Sequence, residues 1–277
     1  MLKRTITGVV LALLAVPVCI FSGTWIFPIV LALLSFGGTY EMLSCIGMKK
    51  KWFVSVPLLT ISAVLPLLVR VINNRNMFLA LFFSLIFFLL MYLLAVHVFY
   101  MRKVTITDVS CAFVTTVYII MGFTSILLLR YENRGEYYFL VPVIAPLLCD
   151  IFAYIIGRLF GKRKLIPSIS PNKTIAGSVG GTFFCAAFCT VYGVILRNVF
   201  YLTDVIPVWS FAVGGILIAI ISQIGDLVAS SIKRNYNVKD YGKIFPGHGG
   251  IMDRFDSVIP TAPLFLVIVV VLTMIGG

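Results

Sequence analysis

The chain has 277 residues, of which 61% are hydrophobic and only 12% charged, with 22 Lys and Arg against 10 Asp and Glu. Ordinary globular domains carry about 45–50% apolar and about 25% charged residues, and no soluble fold of this length has interior enough for the excess. The composition excludes a cytosolic enzyme, a disordered chain and a secreted disulfide scaffold, and it reads as an integral membrane protein. The net charge of +12 is then a matter of where the cations fall along the chain, and it does not point to a nucleic-acid partner.

A helix needs about 20 apolar residues to cross a hydrocarbon core of roughly 30 Å. Nine stretches meet that demand in chain order, at about 5–22, 25–46, 52–69, 77–100, 108–129, 137–160, 175–196, 207–232 and 258–275, so the fold expected is all-α with nine transmembrane helices. The first follows Lys3 and Arg4 like a signal peptide, but eight further spans follow it without a soluble domain, so it is read as an uncleaved helix. Residues 1–130 then hold spans one to five. Residues 131–277 hold spans six to nine with two cytoplasmic loops, 161–174 and 233–257, and form the expected catalytic region. Seventeen of the 22 cations lie at the N-terminus and in alternate loops on one side. The remaining five are Arg70, Arg75, Arg130, Arg134 and Arg197. That bias puts the N-terminus in the cytoplasm, the C-terminus outside and the protein in the cell membrane as a multi-pass chain. The six cysteines all lie in apolar stretches and read as small buried hydrophobes.

Charges inside spans are expensive, so each marks a functional position. Asp150 falls in the sixth span and Asp226 in the eighth. Ser230 and Lys233 follow Asp226 at steps of four and three, which places all three on one helix face. The loop after span eight mixes Lys239, Asp240, Gly242, Gly247, His248, Gly249, Gly250, Asp253, Arg254 and Asp256. Glycines there admit the close backbone approach that phosphate-holding turns need. Asp253 and Asp256 point the same way if their segment is helical, and such oxygen pairs suit Mg²⁺. In the earlier loop, Ser170, Asn172, Lys173 and Thr174 precede Gly177 at the start of span seven, a natural anion seat. A patch that only attracts lipid headgroups would need cations alone, and the interleaved acids favour a metal–phosphate site. No Walker, G-x-G-x-x-G or H-E-x-x-H motif occurs. His97, in span four, reads as structural, whereas His248 is a candidate phosphate ligand or proton donor.

The run from Ser230 to Asp256 resembles the signature of the phosphatidate cytidylyltransferases, the CDP-diacylglycerol synthases. Their pattern is S-x-[apolar]-K-R, four residues, K-D-x-G, then P-x-H-G-G, two residues, and D-R-[apolar]-D. It is met at Ser230, Lys233, Arg234, Lys239, Asp240, Gly242, Pro246, His248, Gly249, Gly250, Asp253, Arg254 and Asp256. Asp150-x-x-Ala153-Tyr154-x-x-Gly157, Ser170-Pro171-Asn172-Lys173-Thr174 and Gln223-x-Gly225-Asp226-Leu227 are similar to further family segments. The resemblance departs at Ala176 and Ala229, where family members usually carry Glu.

The resemblance implies transfer of CMP from CTP to phosphatidic acid, giving CDP-diacylglycerol and pyrophosphate for phospholipid biosynthesis, at a site facing the cytoplasm. It implies Mg²⁺, with a second monovalent or divalent cation beside it, on Asp226 and Asp253 with Asp150 and Asp256 nearby. It also implies phosphate contacts from Lys173, Lys233, Arg234, Lys239 and Arg254. Asp226, Lys233, Arg234, Asp253 and Arg254 are the expected catalytic set. Ser170, Asn172, Lys173, Thr174, Ser230, Lys239, Asp240, His248, Gly249 and Gly250 are the expected substrate contacts. CTP, phosphatidic acid and membrane lipids are the expected partners, with a second copy of the chain as a homodimer. Two other readings differ in their products: a CTP-dependent lipid-alcohol kinase, which releases CDP, and a transporter lined by Asp150 and Asp226, which turns nothing over.

Overall fold

A computed structural model of the chain describes residues 8, 13–72, 74–202, 206–245, 247 and 249–276. In chain order the elements are α1 (Ile26–Cys45), α2 (Trp52–Val71), α3 (Arg75–Phe99), α4 (Ile106–Tyr131), the single turn α5 (Gly135–Tyr138) and α6 (Val141–Phe160). Strands β1 (Lys164–Ile166) and β2 (Ser170–Thr174) follow, then α7 (Ile175–Asn198), α8 (Val208–Asn235), the single turn α9 (Met252–Phe255) and α10 (Thr261–Gly276). Among the described residues, seven helical runs are long and apolar enough to cross a membrane: α1, α2, α3, α4, the run Gly135–Phe160, α7 and α8. Two of the nine expected stretches, the first and the ninth, are not among these seven. Residues 5–7 and 9–12 of the first expected span lie outside the described residues, and 13–20 are helical. The ninth is α10, whose 16 residues fall just short of the roughly 17–25 that a span needs.

Pro57 and Pro66 lie inside α2 and Pro146 inside α6 without ending either helix, as expected where lipid offers the freed backbone groups no alternative partner. Phe83, Phe87 and Phe88 on α3 are exposed, which suits a surface whose solvent is hydrocarbon. Helix α8 runs past its expected end to carry Lys233 and Arg234 in its last turn, where cations complement the helix dipole.

The described residues divide into two compact units. The first comprises Met1–Leu127 and Asn235–Phe255, so most of the loop expected with the catalytic region groups with the early spans. Its core gathers Leu43, Val54, Leu58, Leu89, Leu93 and Val109 from α1 to α4. Around that core the connecting loops are tied down: Phe53 stacks on Tyr100 at 4.8 Å, Lys51 pairs with Asp108 at 3.5 Å, and His97 Nδ1 donates to Val104 O at 3.0 Å, a structural role. Phe255 of α9 meets Phe123 of α4 at 5.5 Å between ring centroids. Gly38 of α1 leaves room for Met252, whose sulfur lies 3.4 Å from where a Cβ would stand.

The second unit comprises Leu128–Arg234 and Asp256–Gly277. Its helices α6 and α7 pack backbone to backbone. A Cβ on Gly181 would lie 2.8 Å from Cys149 O, and one on Gly177 would lie 3.1 Å from Gly157 Cα, the close approach that small residues permit between membrane helices. Phe152 stacks on Phe184 at 4.2 Å, and Thr261 Oγ1 donates to Pro142 O at 3.0 Å, tying α10 to α6. The fold is mostly helical, as expected, with one short hairpin of β1 and β2 added. They pair antiparallel, Lys164 opposite Thr174 and Ile166 opposite Ser170. Pro167 and Pro171 bar this short segment from a helix, and extended backbone suits the residues preceding them.

Candidate active site

In the second unit the intramembrane acids are drawn into one polar group. Lys173, near the end of β2, places Nζ 2.5 Å from Asp226 Oδ2 on α8. One turn further along α8, Ser230 Oγ donates to Asp226 Oδ1 at 3.4 Å, so the expected one-face arrangement holds for that pair. Ser257 Oγ donates to Asp150 Oδ2 at 3.0 Å, while the Ser257 backbone N–H donates to Asp256 Oδ1 at 2.8 Å. A single serine thus links two acids. Asp150 also feels the charges of Asp226 and Lys173. Burial, reinforced by the negative charge of Asp226 and opposed by Lys233, pushes Asp256 up to about 7.

Gln223 sits three residues before Asp226 and clamps α8 to α7. It accepts from Ser178 Oγ and donates to Thr182 Oγ1 at 3.2 Å. Thr174, an expected substrate contact, is buried and caps α7, with Oγ1 accepting from Gly177 N at 3.1 Å. Ser170 is half-buried in β2, whereas Asn172 and Arg234 are exposed.

In the first unit the glycine-rich loop is closed by carboxylates. Asp253 Oδ2 accepts from Tyr241 N at 2.8 Å and from Gly250 N at 2.9 Å. Phe245 N donates to Gly249 O at 2.9 Å, which pinches the turn. Gly249 has φ +82, and a Cβ there would lie 2.6 Å from Asp253 Oδ2, so two separate constraints demand glycine. Glu41 of α1 completes the turn: Oε1 accepts from Ile251 N and Oε2 from Met252 N, each at 3.0 Å. Glu41 is not among the residues expected from sequence. The signal is present, because it is an acid within an expected span, and the argument that selects Asp150 and Asp226 applies to it equally.

Helix α9 ends at Phe255, so Asp256 lies in the turn that follows and the helical premise for a shared Asp253–Asp256 face fails. Asp253 serves the loop, and Asp256 faces Ser257. Lys239, Asp240 and Arg254 are exposed, Lys233 is half-buried, and His248 lies outside the described residues. Among the described residues no three His, Cys, Asp or Glu side chains are gathered closely enough to hold a metal by themselves. Mg²⁺ asks for less, taking one or two carboxylates and completing its shell with waters and substrate phosphates. The hard oxygens of Asp226, Asp150 and Asp256 fit that demand.

Spanning helices that carry half-buried acids beside a lysine define a multi-pass membrane protein built around ionic groups. Residues 2–272 match the model of the cytidylyltransferase family, and the chain belongs to that family. It is similar to the phosphatidate cytidylyltransferase of Staphylococcus haemolyticus (strain JCSC1435), 32% identical over 269 residues, covering 96% of this chain and 98% of that protein. The corresponding enzyme of Staphylococcus saprophyticus is 33% identical over 270 residues, and that of Staphylococcus aureus (strain COL) 31% over 272 residues. Both alignments again cover 96% of this chain and 98% of the relative.

Proposed function

We propose that the protein transfers CMP from CTP to phosphatidic acid, releasing pyrophosphate and leaving CDP-diacylglycerol in the membrane. The observation that carries this reading is the Lys173–Asp226 pair, set with Asp150 and Asp256 among membrane helices of a chain related over nearly its whole length to enzymes of that name.

The acceptor is already an anion at neutral pH, so no strong base is required. A phosphate oxygen of phosphatidic acid attacks the α-phosphorus of CTP, and the bond to the bridging oxygen of the β-phosphate breaks. The difficulty is electrostatic: an anion must approach a triphosphate while the leaving group gains charge. Lys173, Lys233, Arg234, Lys239 and Arg254 neutralise phosphate oxygens in this reading. Ser170, Asn172, Ser230, Asp240 and His248 contact the substrates. Asp226, with Asp150 and Asp256 beside it, would hold Mg²⁺ in this reading, and Asp253 is a further candidate ligand for a cation. When bound, the metal supplies Lewis-acid stabilisation of phosphate charge. Asp150 and Asp226 at bilayer depth and cations in the adjoining loops suit one lipid and one water-soluble substrate. The Lys/Arg distribution supports a cytoplasmic N-terminus and a site open to cytoplasmic CTP.

The test is purified protein in detergent with Mg²⁺, phosphatidic acid and CTP labelled at the α-phosphate. Label appearing in lipid with equimolar pyrophosphate is the expected result. Release of CDP with a phosphorylated lipid alcohol would instead identify a kinase, and turnover-free substrate flux in liposomes a transporter.

A further inference from the structure

Gly250, Ile251 and Met252 present three successive backbone N–H groups, an arrangement that commonly holds an anion. Here the protein's own carboxylates hold all three: Gly250 N donates to Asp253, and Ile251 N and Met252 N donate to the two oxygens of Glu41. Glu41 is 3% exposed and enters from α1, 210 residues earlier in the chain. The surrounding backbone is shaped to receive it, since a Cβ on either Gly242 or Gly250 would collide with its carboxylate. A buried carboxylate is costly unless hydrogen bonds replace its hydration, and two charge-assisted backbone bonds supply that here.

We infer that Glu41 is a positioning residue for CMP transfer. It occupies the N–H groups of the glycine turn that a substrate phosphate would otherwise take, and so fixes the backbone of residues 250–253. That backbone in turn orients Asp253, whose Oδ2 spans Tyr241 N and Gly250 N, and the neighbouring Arg254. The inference rests on the cytidylyltransferase reading, in which Asp253 and Arg254 serve the reaction. Glu41 itself touches no reacting atom.

The experiment compares wild type, Glu41→Gln, Gly250→Ala, Asp253→Asn and the double variant Glu41→Gln/Asp253→Asn as full-length proteins in detergent. Glu41→Gln keeps the side-chain shape but turns an N–H donor toward one of the two backbone donors. Gly250→Ala leaves Glu41 intact and crowds it from the other side. Both should lower kcat by about 10- to 100-fold, the usual reach of a residue that orients a ligand through its neighbour. KM for CTP should stay within about 2-fold, and backbone amides of residues 249–254 should exchange hydrogen faster. The double variant should be no slower than Asp253→Asn alone, because both changes disable one device. Losses that multiply in the double variant, or a kcat that falls only with the folded fraction, would overturn the inference. If wild type releases no pyrophosphate, the functional reading fails on its own. Amide exchange then decides the positioning role: faster exchange at Tyr241 and Gly250 in Glu41→Gln sustains it, and unchanged exchange removes it.

Discussion

Lys173 Nζ meets Asp226 Oδ2 at 2.5 Å, joining the β-hairpin to α8 at the place where three acids feel one another. The two partners should therefore respond unequally to mutation in stability. Lys173→Met leaves Asp226 facing Asp150 and Asp256 without its cation. The pair is about a quarter exposed, so solvent softens the cost to about 1–2 kcal/mol, a fall of a few degrees in Tm. Asp226→Asn removes one of the mutually repelling charges and should leave Tm unchanged or higher. Both variants should lose CMP transfer by about 100-fold or more. A stable Lys173→Met protein with wild-type turnover would take the pair out of the mechanism.

Asp256 carries a pH signature. Its pKa, pushed up to about 7 by burial and by Asp226, compares with about 3.9 in an unfolded chain. Between those values the native protein keeps a proton that the unfolded chain has released, so stability falls as pH rises and levels off above about 7. Asp256→Asn cannot titrate and should lack this component. Melting in detergent with a chelator across that range should show wild type losing Tm with pH relative to the variant. Parallel profiles would mean that Asp256 is ionised throughout.

Thr174 offers a way to separate architecture from substrate contact. Its hydroxyl caps α7 through Gly177 N, and its side chain fills the space that Gly157 and Gly161 leave open. Thr174→Val preserves shape and deletes the cap, which costs about 1 kcal/mol and should lower Tm by about 2–4 °C. KM for CTP should be unchanged. A KM raised 10-fold at constant Tm would instead put the hydroxyl on the nucleotide.

The features legible in the sequence are those written in a local period. Seven of the spans appear because 20 apolar residues in a row have few other uses, and Asp226 and Ser230 meet because four residues make a helical turn. The hairpin at 164–174 escapes such a reading because its strands are three and five residues long, too short for any alternation to register. Asp253 and Asp256 form a pair only on the premise of a helix, and that helix stops at Phe255. Glu41 stands in plain view as a charged residue in a span, but its partners, Ile251 and Met252, lie 210 and 211 residues away, and no local pattern announces a backbone N–H as a partner.

Two glycines allow the strain of a left-handed backbone to be told apart from the crowding of Asp253. Gly47 has φ +76 with nothing within 4 Å of where a Cβ would stand, whereas Gly249 has φ +82 with the Asp253 carboxylate 2.6 Å from that point. Alanine at either position meets the same conformational penalty, about 1–2 kcal/mol, so both variants should melt a few degrees below wild type. Only Gly249→Ala must also push Asp253 out of its bonds to Tyr241 N and Gly250 N. CMP transfer per folded molecule should stay near wild type in Gly47→Ala and fall about 10-fold or more in Gly249→Ala. Activity near wild type in both would show that the position of Asp253 has no bearing on turnover. Activity lost equally in both would show that strain alone, wherever it is placed in the first unit, is enough to stop the enzyme.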